Sequence, residues 1–300
     1  MRVLVTGSSG FIGNRTALYF CNNGHEVIGW DRININAVYE TVNVDLMNPE
    51  EIRAALKSFL PEVIIHCAGS ADVNKSVADP YMDFDGNVAI THHILFALHE
   101  TGLKNTRFVF LSSAGVYGNP QSLPITEETP LNPMSPYAIH KVMCEELCKY
   151  FFVNYDMDVK IARIFSAYGA GLRKQIFWDM YQKYKKNGRL DMFGTGNETR
   201  DYIHVDDVVP ALYLLATTKS SEVVFNVANG VETTIREVAE MFASIVGVPL
   251  DKVAFNGVVR EGDPLNWRAD ISKISKLGYK PQIDMLDGLK GYVNWVNEQV

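Results

Sequence analysis

Three glycines fix the beginning of the chain. Arg2-Val-Leu-Val-Thr6 reads as a short buried strand, Gly7-Ser-Ser-Gly10-Phe-Ile-Gly13 follows without a gap, and Asn14 to Cys21 reads as a helix. Gly7 permits a tight turn, Gly10 lets a pyrophosphate approach the backbone, and Gly13 lets the helix pack closely on the strand, while the helix N-terminus attracts the anion. The spacing is G-x-x-G-x-x-G, not the commoner G-x-G-x-x-G. The second strand, Glu26-Val-Ile-Gly-Trp30, ends in Asp31, at the distance where an acid binds a ribose 2′-hydroxyl. Asp31 favours NAD. Arg32 beside it is the residue type that accommodates a 2′-phosphate, which keeps NADP open.

Beyond Asp31 the pattern alternates strand and helix, as expected for a doubly wound parallel sheet of the α/β Rossmann kind covered on both faces. A strand ending Val42-Asn-Val44 comes first. A helix near Glu50 to Ser58, the strand Glu62 to His66, a long helix from about Asp83 to Glu100, and the strand Arg107 to Leu111 follow, the last delivering Ser112 and Ser113 at its carboxyl end. Ligands bind at that edge of such a sheet. A helix from Pro136 to about Asn154 and a strand from Val159 to Ile164 complete the regular part. Helices near Gln175 to Lys186, Asp206 to Thr217, Thr234 to Val246 and Asp284 to Val300 are then expected, with short strands near Val223 to Asn226 and Val253 to Phe255.

Three hundred residues with 47% hydrophobic content are enough for a large core in one or two domains. The chain opens directly into a strand and has no apolar run of about 18 residues, so a cytoplasmic protein without a membrane span is expected. Cys21, Cys67, Cys144 and Cys148 are too scattered for a disulfide framework. A net charge of −7 argues against nucleic acid as a partner, and an anionic substrate would need arginines close to it.

Tyr137 and Lys141 lie four residues apart on an expected helix, on one face and one turn apart. A lysine ammonium beside a phenol oxygen favours phenolate, and an oxidised nicotinamide would add a second positive charge. Alone, the pair reads as an exposed lysine beside a packed tyrosine. Behind a dinucleotide turn, it reads as a proton-handling pair.

Ten segments in order carry a resemblance: Gly7 to Gly13, Asp31, Asp45-Leu46, His66 to Gly69, Asp85 to Val88, Ser112 to Gly118, Tyr137 to Lys141, Arg163 to Gly169, Gly194 to Asp207 and Arg260 to Asp263. Over nearly its whole length the chain resembles an extended short-chain dehydrogenase/reductase of the NAD-dependent epimerase/dehydratase family, the group containing UDP-galactose 4-epimerase. The resemblance implies a NAD-binding Rossmann domain of residues 1–165 plus about 202–228. A smaller interleaved C-terminal α/β domain of about 166–201 and 229–300 would then hold a nucleotide-diphosphate sugar. It implies cofactor contacts from Gly7, Gly10, Phe11, Ile12, Gly13, Asp31, Arg32, Asp45, Leu46, Cys67, Ala68, Gly69, Asn87, Tyr137 and Lys141. Ser113 would hydrogen-bond the reacting sugar hydroxyl, Tyr137 would take its proton, and Lys141 would favour the phenolate and hold the nicotinamide ribose. Ser166 stands where the family has an asparagine that contacts the sugar or its phosphates. Arg200 and Arg260 would hold the diphosphate, for which guanidinium groups are well shaped. A homodimer through the two long helices, making a four-helix bundle, is also implied.

Departures from the family pattern narrow the reaction. The 4,6-dehydratases place an Asp-Glu pair after the serine or threonine, the sugar decarboxylases place a glutamate there, and the 3,5-epimerase-reductases place a cysteine at the second of these positions. Here stand Ala114 and Gly115, which move no protons. Two readings remain: a 4-epimerase that oxidises C4 transiently with tightly bound NAD, and an NAD(P)H-dependent 4-ketoreductase of a 4-keto-6-deoxy nucleotide sugar. Asp31 tilts toward the first. A 4,6-dehydratase and a catalytically silent NAD-binding subunit are less favoured. Ala71 stands where UDP-galactose 4-epimerases often have lysine, and Gly171 to Trp178, where the base is normally read, matches no particular nucleotide. Within it Phe177 or Trp178 could stack on a base, although an aromatic at helical spacing is more often core, and Arg173 and Lys174 could reach phosphate or solvent. His140, Cys144 and Cys148 recur every four residues but lack a fourth ligand, and no metal is expected.

Overall fold

The computed structural model describes residues 1–33, 38–258 and 264–299 of the chain. In chain order the first half runs β1 (Arg2–Thr6), α1 (Phe11–Asn22), β2 (Glu26–Trp30), β3 (Glu40–Val42), α2 (Pro49–Phe59), β4 (Val63–His66), α3 (Val73–Ala78), α4 (Pro80–Phe84), a π turn (Asp85–Ala89), α5 (Ile90–Glu100), β5 (Arg107–Ser113), a 3₁₀ turn (Ala114–Tyr117) and α6 (Pro136–Tyr155). The second half runs β6 (Val159–Ile164), β7 (Ser166–Tyr168), α7 (Gln175–Asn187), β8 (Leu190–Met192), β9 (Thr199–Arg200), β10 (Tyr202–His204), α8 (Val205–Thr217), β11 (Val224–Val227), β12 (Thr233–Thr234), α9 (Ile235–Val246), β13 (Val253–Phe255), α10 (Ser272–Ser275) and α11 (Met285–Glu298).

Seven strands form one parallel sheet in the order β11-β6-β5-β4-β1-β2-β3. The strand order reverses between β1 and β4, which places a ligand crevice above their carboxyl ends. Their last register pair is Thr6 with His66. The central strands are apolar on both faces because helices cover both. On one face Val3, Val5, Ile65, Val109 and Ala162 pack with α1 and α8 residues such as Phe20 and Leu212. On the other, Leu4, Ile64, Phe108, Phe110 and Ile161 pack with Ile94, Leu98, Cys144 and Cys148. A third cluster gathers α7, α9 and α11 around Phe177, Tyr181, Phe242 and Tyr292.

The turn after β1 is as tight as its glycines require. Gly7 has a φ of +65°, and a Cβ on Gly13 would lie 2.1 Å from the Gly7 carbonyl oxygen, so the start of α1 rests on the turn itself.

Three details differ from the sequence pattern. The strand expected through Val44 ends at Val42, because Val44 leaves the edge of the sheet and buries in the core beside Ile52 and Leu56. The helix expected from Asp83 begins at Pro80 and is interrupted by the π turn, which has no periodicity of its own to betray it. The small pairs β7 with β10, β8 with β13 and β9 with β12 contain strands of two or three residues, most of them too short for an alternating pattern to register.

Candidate active site

Ser135 caps α6 by accepting from the Ala138 amide, and Pro136 occupies the first turn where no amide partner is needed. This sets Tyr137 at the start of the helix, half-buried, with its amide donating to Ser76 Oγ on α3 at 3.1 Å. One turn on, Lys141 is buried. Its Nζ donates to the Leu111 carbonyl at 3.0 Å and lies 4.9 Å from the centre of the Phe110 ring and 5.8 Å from that of Tyr137. Ser113, the last residue of β5, caps the 3₁₀ turn, its Oγ accepting from the Gly115 amide at 3.1 Å.

Gly115 faces both. A Cβ built there would be 3.4 Å from Ser113 Oγ, 3.6 Å from Ala138 Cβ and 4.0 Å from Tyr137 Cε1, all ordinary contacts. Position 115 therefore has room for a Cβ between the serine and the tyrosine, and carries no side chain. Ala114 turns the other way, fully buried beside Val116, Tyr117 and Phe165.

Most of the residues expected to contact a cofactor follow β1, β2, β3 or β4 in the chain, and Asn87 lies in the π turn. No side chain caps α1, whose first amides face the glycine turn. Asp31 braces that turn: its two carboxylate oxygens accept from the amides of Ser9 at 2.8 Å and Ile33 at 3.1 Å. Arg32 is exposed. Asp45 accepts from the Met47 amide, and the Leu46 carbonyl accepts from His93 Nδ1. After β4, the Ala68 amide donates to Thr6 Oγ1 at 3.1 Å, and burial pushes the Cys67 thiol up to about 12, so it stays protonated. Opposite lies Asn87, in the π turn. Its Nδ2 donates to the Asp83 carbonyl, and its Oδ1 is buried without a partner, 2.8 Å from where a Cβ on Gly69 would stand. Lys141 Nζ is 3.6 Å from the same point.

The sequence matches the NAD dependent epimerase/dehydratase family over residues 3–228. The chain belongs to that family. It is 35% identical to a putative UDP-glucose 4-epimerase of Methanocaldococcus jannaschii, with 98% of each chain covered, and 34% identical to a UDP-glucose 4-epimerase of Mycolicibacterium smegmatis, with 96% of each covered. Its fold superposes with a TM-score of 0.90 on a UDP-glucuronic acid 4-epimerase of Bacillus cereus solved with UDP-glucuronic acid and NAD, 26% identical, with both chains covered completely.

NAD is the cofactor of this family member, and the residues present fit it. Gly7 and Gly13 have no space for a Cβ, and among the described residues α1 has no side-chain cap on its first amides and the buried Asn87 Oδ1 accepts no hydrogen bond. Among the substrate candidates, Ser166 is half-buried and its amide donates to the Asp201 carbonyl. Arg200 lies with its guanidinium 5.5 Å from the Trp267 ring centre, and Nη1 donates to the carbonyls of Thr199 and Leu265. Arg260 lies outside the described residues. Phe177 takes the core alternative: it is buried in the third core cluster against Tyr168 and Tyr292 and cannot stack on a base. Trp178 stacks on Tyr181 of its own helix. Arg173 binds Gln299 and lies over Trp295, while Lys174 reaches across to the Ala71 carbonyl at 3.1 Å. His140 is bonded through Nδ1 to the buried Asp83 carboxylate at 2.6 Å, and Cys144 and Cys148 are buried core residues.

The sequence reading missed a buried polar network behind the catalytic candidates. Glu145, two turns beyond Tyr137, takes a bidentate pair from Arg163 of β6 at 2.9 and 2.6 Å and the Ser112 hydroxyl at 2.6 Å. Arg163 Nη1 also donates to Tyr117 Oη, which donates to Asn226 Oδ1 on β11. Neighbouring Ser113, Ser112 thus ties the end of β5 to α6. The signal available was Glu145 itself, a charge four residues past Lys141 on the same helical face.

Proposed function

We propose that the protein is a nucleotide-sugar 4-epimerase in which Tyr137, Lys141 and Ser113 handle one proton at one carbon. The observation that carries this reading is position 115, which faces Ser113 and Tyr137, would take a Cβ in ordinary contact, and has only a hydrogen. Elimination, decarboxylation or epimerisation at a second carbon needs another proton-moving group there. Tyr137 Oη takes the proton of the C4 hydroxyl and later returns it. Ser113 Oγ hydrogen-bonds that hydroxyl and orients it. Lys141, its Nζ 5.8 Å from the Tyr137 ring centre, would hold the nicotinamide ribose beside the tyrosine. NAD held in the site would supply a reversible hydride acceptor for C4, and return of the hydride to the other face of the sugar would invert that carbon.

In this reading Asp31, Asp45, Leu46, Asn87 and the backbones of residues 10–13 and 67–69 hold the cofactor, and Arg200, Arg260 and Ser166 the diphosphate sugar. The parts holding NAD are residues 1–165 and about 202–228, and those holding the sugar about 166–201 and 229–300. We further infer a homodimer through α5 and α6, supported by the exposure of Phe96, Ile139, Met143, Tyr150 and Val153 on those helices. Light scattering should give twice the chain mass, and Met143→Glu should give monomers. A monomeric wild-type protein would remove this inference.

Freshly purified protein should carry close to one nicotinamide per chain by absorbance. It should interconvert C4 epimers of a UDP-hexose without added cofactor. Protein that emerges empty and consumes NAD(P)H only with a 4-keto-6-deoxy nucleotide sugar would instead be a ketoreductase.

A further inference from the structure

We propose that Thr6, His66 and Thr91 form a hydrogen-bond thread of fixed direction that positions two backbone segments of the cofactor site, the Cys67–Gly69 turn and the π turn carrying Asn87. The direction follows from what each group can donate. The Asn87 carbonyl only accepts, so the single Thr91 hydroxyl proton is committed to it at 2.6 Å. Thr91 Oγ1 is then an acceptor toward His66 Nε2, 3.1 Å away, and Nε2 carries the ring proton. His66 Nδ1 is left bare and accepts the Thr6 hydroxyl proton at 2.7 Å. Thr6 Oγ1 in turn accepts from the Ala68 amide at 3.1 Å. The order is Ala68 N–H, Thr6 O–H, His66 Nδ1, His66 Nε2–H, Thr91 O–H, Asn87 C=O, with no group reversed.

All of these side chains are at most 1% exposed, so no water competes for the bonds. Burial and the nearby Lys141 charge push the His66 imidazolium down to about 3, which keeps the ring neutral with one donor and one acceptor. Thr6 and His66 are register partners where the strand order reverses, so the thread begins at the crevice and crosses to α5. Its far end matters because the Asn87 amide is aimed by the π turn. With Nδ2 committed to the Asp83 carbonyl, Oδ1 must point toward Gly69, and it is the acceptor left without a donor. A shift of the π turn against the Cys67–Gly69 turn would misplace that acceptor. Thr6, His66 and Thr91 are positioning residues, since none of them needs to touch the cofactor.

This inference rests on the cofactor placement proposed above, and one experiment separates the two. NAD is stripped from wild type, Thr91→Val and Thr91→Ser, and its affinity is measured by titration calorimetry alongside the melting temperature of each protein. Thr91→Val keeps the volume and removes the hydroxyl, and should weaken NAD binding about tenfold; Thr91→Ser restores the hydroxyl and should bind like wild type. A Thr91→Val protein that melts lower but binds NAD as tightly as wild type would overturn the thread alone. A wild type that binds no NAD would overturn the placement itself. If Thr91→Val does not fold, long-range proton–nitrogen NMR of the wild-type histidines decides. His66 should be the neutral Nε2–H tautomer at pH 7, and the opposite tautomer or an imidazolium would refute the direction.

Discussion

Tyr137→Phe is expected to lower turnover by about 10²–10⁴-fold, the usual range for losing a positioned acid–base group, while the bound nicotinamide stays at the wild-type level. The two readouts separate because the variant removes one oxygen and nothing that supports the site. Tyr137 is placed by its backbone, through the Ser135 cap, Pro136 and the Ser76 contact, and none of these involves the phenol. Lys141 keeps its bond to the Leu111 carbonyl whether or not the hydroxyl is there. The Michaelis constant for the nucleotide sugar should change little, since the proposed diphosphate contacts, Arg200 and Arg260, do not involve the phenol. Turnover retained within a few-fold would mean that another group takes the C4 proton, and the reading of Gly115 as the absence of a second proton carrier would fail with it.

How much of this was legible in the sequence depended on whether the signal was local. The glycine turn, the apolar strands and the Tyr137–Lys141 pair are written in adjacent or helically spaced residues, and the seven-stranded parallel sheet follows from their alternation. The bracing of the glycine turn by Asp31 was not legible, because its amide partners belong to Ser9 and Ile33 and a carboxylate that binds ribose looks the same in sequence as one that braces a loop. Whether Phe177 stacks on a base or packs in the core stayed open for a similar reason: helical spacing does not say which face is core until α11 supplies Tyr292. The π turn at Asp85–Ala89 adds one residue to a helical turn without any composition that announces it. His66 reads as one more residue at the end of an apolar strand. Only register with Thr6 and contact with Thr91, 25 residues away, reveal its two bonds.

Glu145→Ala should cost about 3–5 kcal/mol of stability, because it leaves the Arg163 guanidinium buried without its counter-ion. Glu145 is fully buried and Arg163 is 2% exposed, so water cannot replace the lost carboxylate. Two of the guanidinium bonds go with it, along with the acceptor for the Ser112 hydroxyl. Urea denaturation would register the loss as a lower midpoint. Replacing both charges, with Glu145→Met and Arg163→Met together, should recover most of the stability, since a buried ion pair exchanged for apolar residues of similar volume is often neutral or better. Turnover should not recover with it. Ser112 precedes Ser113 on β5, and Glu145 follows Tyr137 on α6, so the network joins the strand that presents the serine to the helix that presents the tyrosine. An apolar contact is non-directional and lets strand and helix slide by the fraction of an ångström that a bidentate pair forbids. The double variant is therefore expected to fold, to bind NAD, and to turn over more slowly than wild type at saturating substrate. Full turnover in a stable double variant would make the pair a matter of packing alone.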